Sequence, residues 1–230
     1  RSRALLVLLL CSLLAGAANA EPSPEPTYKD CHPGDKAALL AFKAAFGEAY
    51  DFASWTPNNP CCDWYDVTCD RFTGRVIGLA IFQDANLTGT IPTALAGLPH
   101  LEDLTLRHLP LLSGPIPPAI GKLSNLSSLR ISWTAVSGPV PSFLGALPAQ
   151  SLDVSGKSRT GSIPPSLSAA PRLNSIYLND NRLDVGSVPP LLFSSAGHLA
   201  FLDLSHNNLS GSILLDCIVS VVVYVHIRMM

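Results

Sequence analysis

Apolar residues recur along this chain in two rhythms. In Leu199-x-x-Leu202-x-Leu204 and Leu173-x-x-Ile176-x-Leu178 they alternate with variable residues, which predicts a short strand with one buried face. In Pro118-Ala-Ile120-Gly-Lys-Leu123 they lie three apart, which suits a short helical turn. After the strand, Asn181 and Asn207 turn the chain, and their amides are placed to bond unpaired backbone groups inside the coil. A third phrase, glycine then apolar residue then proline, runs as Gly89-Thr-Ile91-Pro92, Gly114-Pro-Ile116-Pro117, Gly138-Pro-Val140-Pro141, Gly161-Ser-Ile163-Pro164, Gly186-Ser-Val188-Pro189 and Gly211-Ser-Ile213-Leu214. The six glycines lie 25, 24, 23, 25 and 25 residues apart. An ordinary sandwich has no reason to keep one period, whereas a solenoid must. The expected fold class is therefore an α/β solenoid: a right-handed coil with a parallel sheet on its concave side and helical turns on its convex side.

The full phrase resembles the leucine-rich repeat of the plant extracellular type. Strand alternation turns the leucines inward and their neighbours outward onto the concave sheet. Within that face the candidate partner-binding residues are Phe82, Gln83, Asp103, Thr105, Arg107, His108, Arg130, Ser132, Trp133, Asp153, Tyr177, Asn179, Phe201 and Asp203. Six strands at ~4.8 Å spacing make a strip of roughly 25–30 Å, which suits another folded protein better than a metabolite. Phe82, Trp133, Tyr177 and Phe201 are aromatics at exposed positions, as interface anchors are. Arg107 and Arg130, in adjacent repeats, suit acidic groups of a protein or of a pectic polymer.

Composition sets the compartment. Arg1 and Arg3, the apolar run Ala4 to Leu14 and Ala18-Asn-Ala20 read as a signal peptide over 1–20, followed by a Pro-rich linker over 21–29. Cys11 leaves with the signal, and secretion favours disulfides among Cys31, Cys61, Cys62 and Cys69. Neighbouring cysteines rarely reach disulfide geometry, and the expected pairs are Cys31–Cys61 and Cys62–Cys69. A zinc site lacks the Cys-x-x-Cys spacing, so no metal and no cofactor are expected. The cysteines fall in a cap over 30–70, in which Asp35 is expected to cap a helix from Lys36 to Phe46 ended by Gly47. Leu39, Phe42 and Phe46 on one helix face, with Trp55 and Trp64, would seal the first repeat. The sequons at Asn86, Asn125 and Asn208 fit a glycosylated secreted protein. A net charge of −2 carries no nucleic-acid footprint. No Gly-x-Ser-x-Gly, His-Glu-x-x-His or phosphate-cradling loop occurs and the histidines are scattered, so an enzyme is not expected.

One family shares longer phrases. Asp35-Lys36 with Leu39-Leu40, Ala53-Ser-Trp55, Cys61-Cys-Asp-Trp-Tyr65, Val67-Thr-Cys69-Asp70, Ile81-Phe82 and Leu129-Arg-Ile-Ser-Trp-Thr134 resemble the plant polygalacturonase-inhibiting proteins. The likeness is close over residues 30 to about 147 and continues as generic repeat to about 213. It implies a secreted cell-wall glycoprotein of plant defence. Such a protein covers the substrate cleft of a fungal endo-polygalacturonase with its concave face and does no chemistry itself, with pectin as a further partner. The alternatives are a developmental signalling or co-receptor-like protein, a receptor ectodomain fragment, a decayed truncated member, and a wall protein holding pectin through Arg107, Arg130 and Lys157.

The departures from the family are specific. Asp66 stands where many relatives carry cysteine. In the fourth repeat Lys157 replaces the turn Asn and Arg159 the inward Leu, so that coil is expected to distort or the arginine to snorkel out. The repeats, about six over 71–213 against about ten in the family, give way to an apolar tail over 214–230. The tail is too short for a membrane span and is expected either to fold back as a lid or to leave an open end.

Overall fold

The computed structural model describes residues 30–46, 49–156, 158–183, 188–189, 192 and 199–209, and the backbone of 222–224. The expectations for the signal peptide, the linker, Gly47, Lys157, Gly186, Gly211 and most of the tail lie outside these residues.

The chain coils as the repeat predicts. Helix α1 (Pro33–Ala44) opens the cap, and β1 (Val67–Cys69) pairs antiparallel with β2 (Val76–Phe82). From β2 onward the concave strands run parallel: β4 (Asp103–Gly114), β5 (Ser128–Val136), β7 (Ser151–Asp153), β9 (Ser175–Tyr177) and β11 (Phe201–Asp203). The glycine phrases add β3 (Gly89–Thr90), which joins β4, and a smaller parallel sheet of β6 (Gly138–Pro139), β8 (Arg159–Gly161) and β10 (Arg182–Leu183). Right after the prolines come the convex 3-10 turns Thr93–Gly97, Pro118–Lys122, Ser142–Ala146 and Pro165–Ala169. Leu79, Leu104, Leu129, Leu152, Ile176 and Leu202 stand side by side in register and are buried, forming the inner wall of the core.

The cap corrects one expectation. The helix begins a turn earlier than predicted, with His32 as its N-cap, whose Nδ1 accepts from Gly34 N at 3.2 Å. Asp35 is instead buried and gripped by Arg75, Nε to Oδ2 at 3.0 Å and Nη2 to Oδ1 at 2.8 Å, while Val76 N donates to it at 2.9 Å. The carboxylate does more as a paired anion than as a cap, because Arg75 and the first amide of β2 leave no oxygen orphaned. It ties the helix to the first repeat. Ala38 packs against Gly97, where an added Cβ would approach the Ala38 Cβ to 2.8 Å. Leu39, Phe42, Phe52, Trp55 and Trp64 are buried, with Trp55 and Trp64 stacked at 5.2 Å. The disulfides are Cys31–Cys61 and Cys62–Cys69, with Cα separations of 5.4 and 5.5 Å. All four cap cysteines are thereby bonded in pairs.

Two further differences lie in the repeats. Arg159 does not reach solvent: it is 2% exposed, with Nη1 donating to Ser137 O at 3.2 Å and Nη2 buried without a partner. Burial lowers its pKa from 12.5 to about 10, which still leaves it charged at neutral pH. At the other end, β12 (Val222–Tyr224) lies parallel to β11, pairing Phe201 with Val222 and Asp203 with Tyr224. This part of the tail therefore extends the sheet.

Candidate functional site

The strand register builds the concave face column by column. Ala80, Thr105, Arg130, Asp153, Tyr177 and Asp203 lie directly across from one another in successive strands. Phe82, Arg107 and Ser132 form a second column beside them. Every candidate binding residue falls on a concave strand or on the residues just after it, but exposure sorts them. Phe82 is 52% exposed and Trp133 38%, and Gln83, Arg107 and His108 are exposed. Asp103, Arg130, Asp153, Tyr177, Asn179, Phe201 and Asp203 are half-buried.

Thr105 and Ser132 are buried, against expectation. The Thr105 hydroxyl donates to Asp103 Oδ1 at 3.1 Å. Ser132 is covered because the fourth repeat comes close: Trp133 N donates to Ser155 O at 3.1 Å, and Gly156 packs onto the backbone of Ser132 and Trp133. Its hydroxyl has no partner. Alternation alone cannot anticipate this, since it reports which way a side chain leaves its own strand and not how near the next coil lies.

A second feature has no obvious sequence signal. The residue closing each concave strand segment takes the left-handed backbone region: Gln83 (φ 66), His108 (φ 55), Trp133 (φ 55), Asp180 (φ 55) and His206 (φ 55), with Gly156 (φ 111) in the fourth repeat. Non-glycine residues rarely adopt it. Here it places one residue per coil at the rim, with a side chain in every coil but the fourth, where Gly156 has none. The His108 and Trp133 rings stack at 5.9 Å and 17° along that rim. They border a cleft of about 510 Å³ shared with Gln83, Pro110 and Ser158. At the far end Tyr177 and Phe201 pack at 4.7 Å. Electrostatics are sparse: Arg130 Nε meets Asp153 Oδ2 at 3.4 Å, and among the described residues Arg107 has no carboxylate within ion-pair distance. The face offers aromatic area and a few charges, which is equipment for binding.

Known proteins point the same way. Residues 32–70 match the leucine rich repeat N-terminal domain and residues 198–218 the Leucine Rich Repeat. A polygalacturonase inhibitor of Pyrus communis is 50% identical over 110 residues, which is 47% of this chain and 33% of that protein. The chain thus spans about a third of that relative's length. The crystal structure of a plant ice-binding protein superposes with a TM-score of 0.74 at 41% identity, covering 79% of this chain and 58% of the other. A chain from the BIR3–SERK2 complex of Arabidopsis thaliana is 30% identical with a TM-score of 0.63, over 78% of this chain and 97% of its own. The chain belongs to the plant leucine-rich repeat proteins, a non-enzymatic binding fold, and resembles the polygalacturonase inhibitors among them.

Proposed function

We propose that this leucine-rich repeat protein binds fungal endo-polygalacturonases through its concave face and inhibits them by obstructing access to their substrate cleft. The carrying observation is the row of exposed side chains Phe82, Arg107, His108 and Trp133 on adjacent strands of a chain that resembles polygalacturonase inhibitors. Aromatic and arginine side chains on a rigid sheet lose little freedom when covered, so they convert contact into affinity efficiently. In this reading residues 1–20 are a signal peptide, 21–29 a linker, 30–70 the cap, 71–213 the repeats and 214–230 a tail, and the protein works in the cell wall. No helix among the described residues is long and apolar enough to cross a membrane. Asn86 and Asn125 are exposed, as glycan carriers must be.

The test uses protein beginning at Glu21, secreted from plant cells and added to a panel of fungal endo-polygalacturonases. Slower release of reducing ends, with a complex detectable by surface plasmon resonance, is expected for at least one enzyme. Absence of both across the panel overturns the proposal.

A further inference from the structure

We infer that the cleft where β2, β4 and β5 meet is a socket for a single carboxylate side chain presented by a protein partner. This deepens the concave-face reading above and rests on it. The cleft holds about 290 Å³ and is lined by Ala80, Phe82, Gln83, Thr105, Arg107, His108 and Arg130. At ~30 Å³ per water that is about ten waters, room for one side chain with its hydration. Cross-strand pairing sets its walls. Phe82 lies directly opposite Arg107, Thr105 directly opposite Arg130, and Arg130 directly opposite Asp153. Arg107 and Arg130 are thus diagonal neighbours, at roughly 7–8 Å between backbones, so two guanidinium groups can face one cleft.

The two arginines are not equivalent. Arg130 is held by Asp153 at 3.4 Å, which fixes it and meets part of its charge. Arg107 is exposed and has no carboxylate in reach among the described residues, which leaves its donor fork free for an incoming anion. Ala80 and Thr105 complete the lining, and the Thr105 hydroxyl is already given to Asp103. Phe82, half exposed on the wall, would cover the new ion pair and lower its local dielectric, which strengthens it. A long polyuronate would need a continuous row of cations. The column instead continues from Arg130 to Asp153 and on through Tyr177 to Asp203, so beyond Arg130 it becomes acidic. One acidic residue on a partner loop fits this pattern; a polyanion does not.

The probes are a blocked pentapeptide carrying one glutamate between glycines, and trigalacturonate, titrated separately into the whole secreted protein while the arginine Nε–Hε resonances are followed by NMR. The peptide should move the Arg107 and Arg130 signals. Arg107→Gln should weaken it at least tenfold, and Arg182→Gln, on the other sheet, should leave it unchanged. No shift, a shift indifferent to Arg107→Gln, or tighter binding of trigalacturonate than of the peptide would overturn the socket. With any polygalacturonase that the unaltered protein captures, Arg107→Glu should slow association at least tenfold at low salt, and an unchanged rate also overturns it. If no enzyme is captured, the concave-face reading fails on its own and the peptide titration still decides the socket.

Discussion

The second and third repeats differ from the fifth and sixth in how they hold the same turn of the coil. In the later pair an asparagine does the work. Asn181 Nδ2 donates to Val154 O and Leu178 O, both at 2.9 Å, and its Oδ1 accepts Arg159 N at 3.0 Å; Asn207 repeats this one coil on, with Leu178 O at 2.8 Å and Leu183 N at 3.1 Å. In the earlier pair Leu109 and Thr134 occupy the asparagine position. There β4 is a strand of 12 residues and β5 one of 9, and their ladder continues past the turn with a register shift, from Leu109 opposite Thr134 to Ser113 opposite Ala135 and Gly114 opposite Val136. The concave strands of the fifth and sixth repeats are 3 residues long. The backbone groups that a turn leaves unpaired must be satisfied in either case, and an amide side chain or a continued ladder serves equally well. Absence of the consensus residue therefore does not mark a broken repeat.

The fourth repeat joins the two systems, and the sharpest way to break the comparison is there. Gly156 has φ 111, and a Cβ would overlap the backbone nitrogen of Trp133. Gly156→Ala should cost about 3 kcal/mol or more in urea unfolding and weaken the His108–Trp133 rim, read as a change in Trp fluorescence. Next comes the ladder itself. Asn181→Ala orphans buried backbone groups and should cost about 2–3 kcal/mol, whereas Thr134→Val removes one bond, from Val136 N at 3.2 Å, and should cost about 1 kcal/mol. Equal losses would show that the two repeats do not differ in their dependence on the side chain.

Arg159→Leu should raise stability by about 1–2 kcal/mol, since it removes a buried cation with one unpartnered nitrogen and restores the apolar position of the motif. A lower melting temperature instead would mean that its bond to Ser137 O holds the junction. The smallest effect lies outside both halves, in the cap, and so serves as a control. Asp51 has its pKa raised from 3.8 to about 6, first by burial and then by Asp66 and Asp84. The folded carboxyl holds its proton more tightly than the unfolded one. Its stability contribution is therefore complete below pH 3.8 and lost as pH rises through about 6. Asp51→Asn should flatten that decline with a gain at pH 7 under about 1 kcal/mol, because solvent screens a partly exposed group.

Much of this was legible in the residues. The fixed glycine period led to the coil, alternation led to the inner column of leucines, and the buried Trp55 and Trp64 followed from their place beside the cap helix. Asp35 was not legible in the same way, because a short-range capping signal and a partner 40 residues away compete for one carboxylate and only the fold brings Arg75 to it. The candidate face was readable as a set of positions, while its exposed subset was not. Thr105 and Ser132 disappear through neighbours that alternation says nothing about.

What the sequence alone determined is the repeat: its period, which residues turn inward, and which can line the concave side, all consequences of local chain geometry. Tertiary structure alone decided the rest. It set how closely one coil approaches the next, whether an amide or a ladder satisfies each turn, that Arg159 stays inside, and that Phe82, Arg107 and Arg130 share a cleft. Those outcomes depend on distances between residues of different coils, and no spacing along a single chain records such distances.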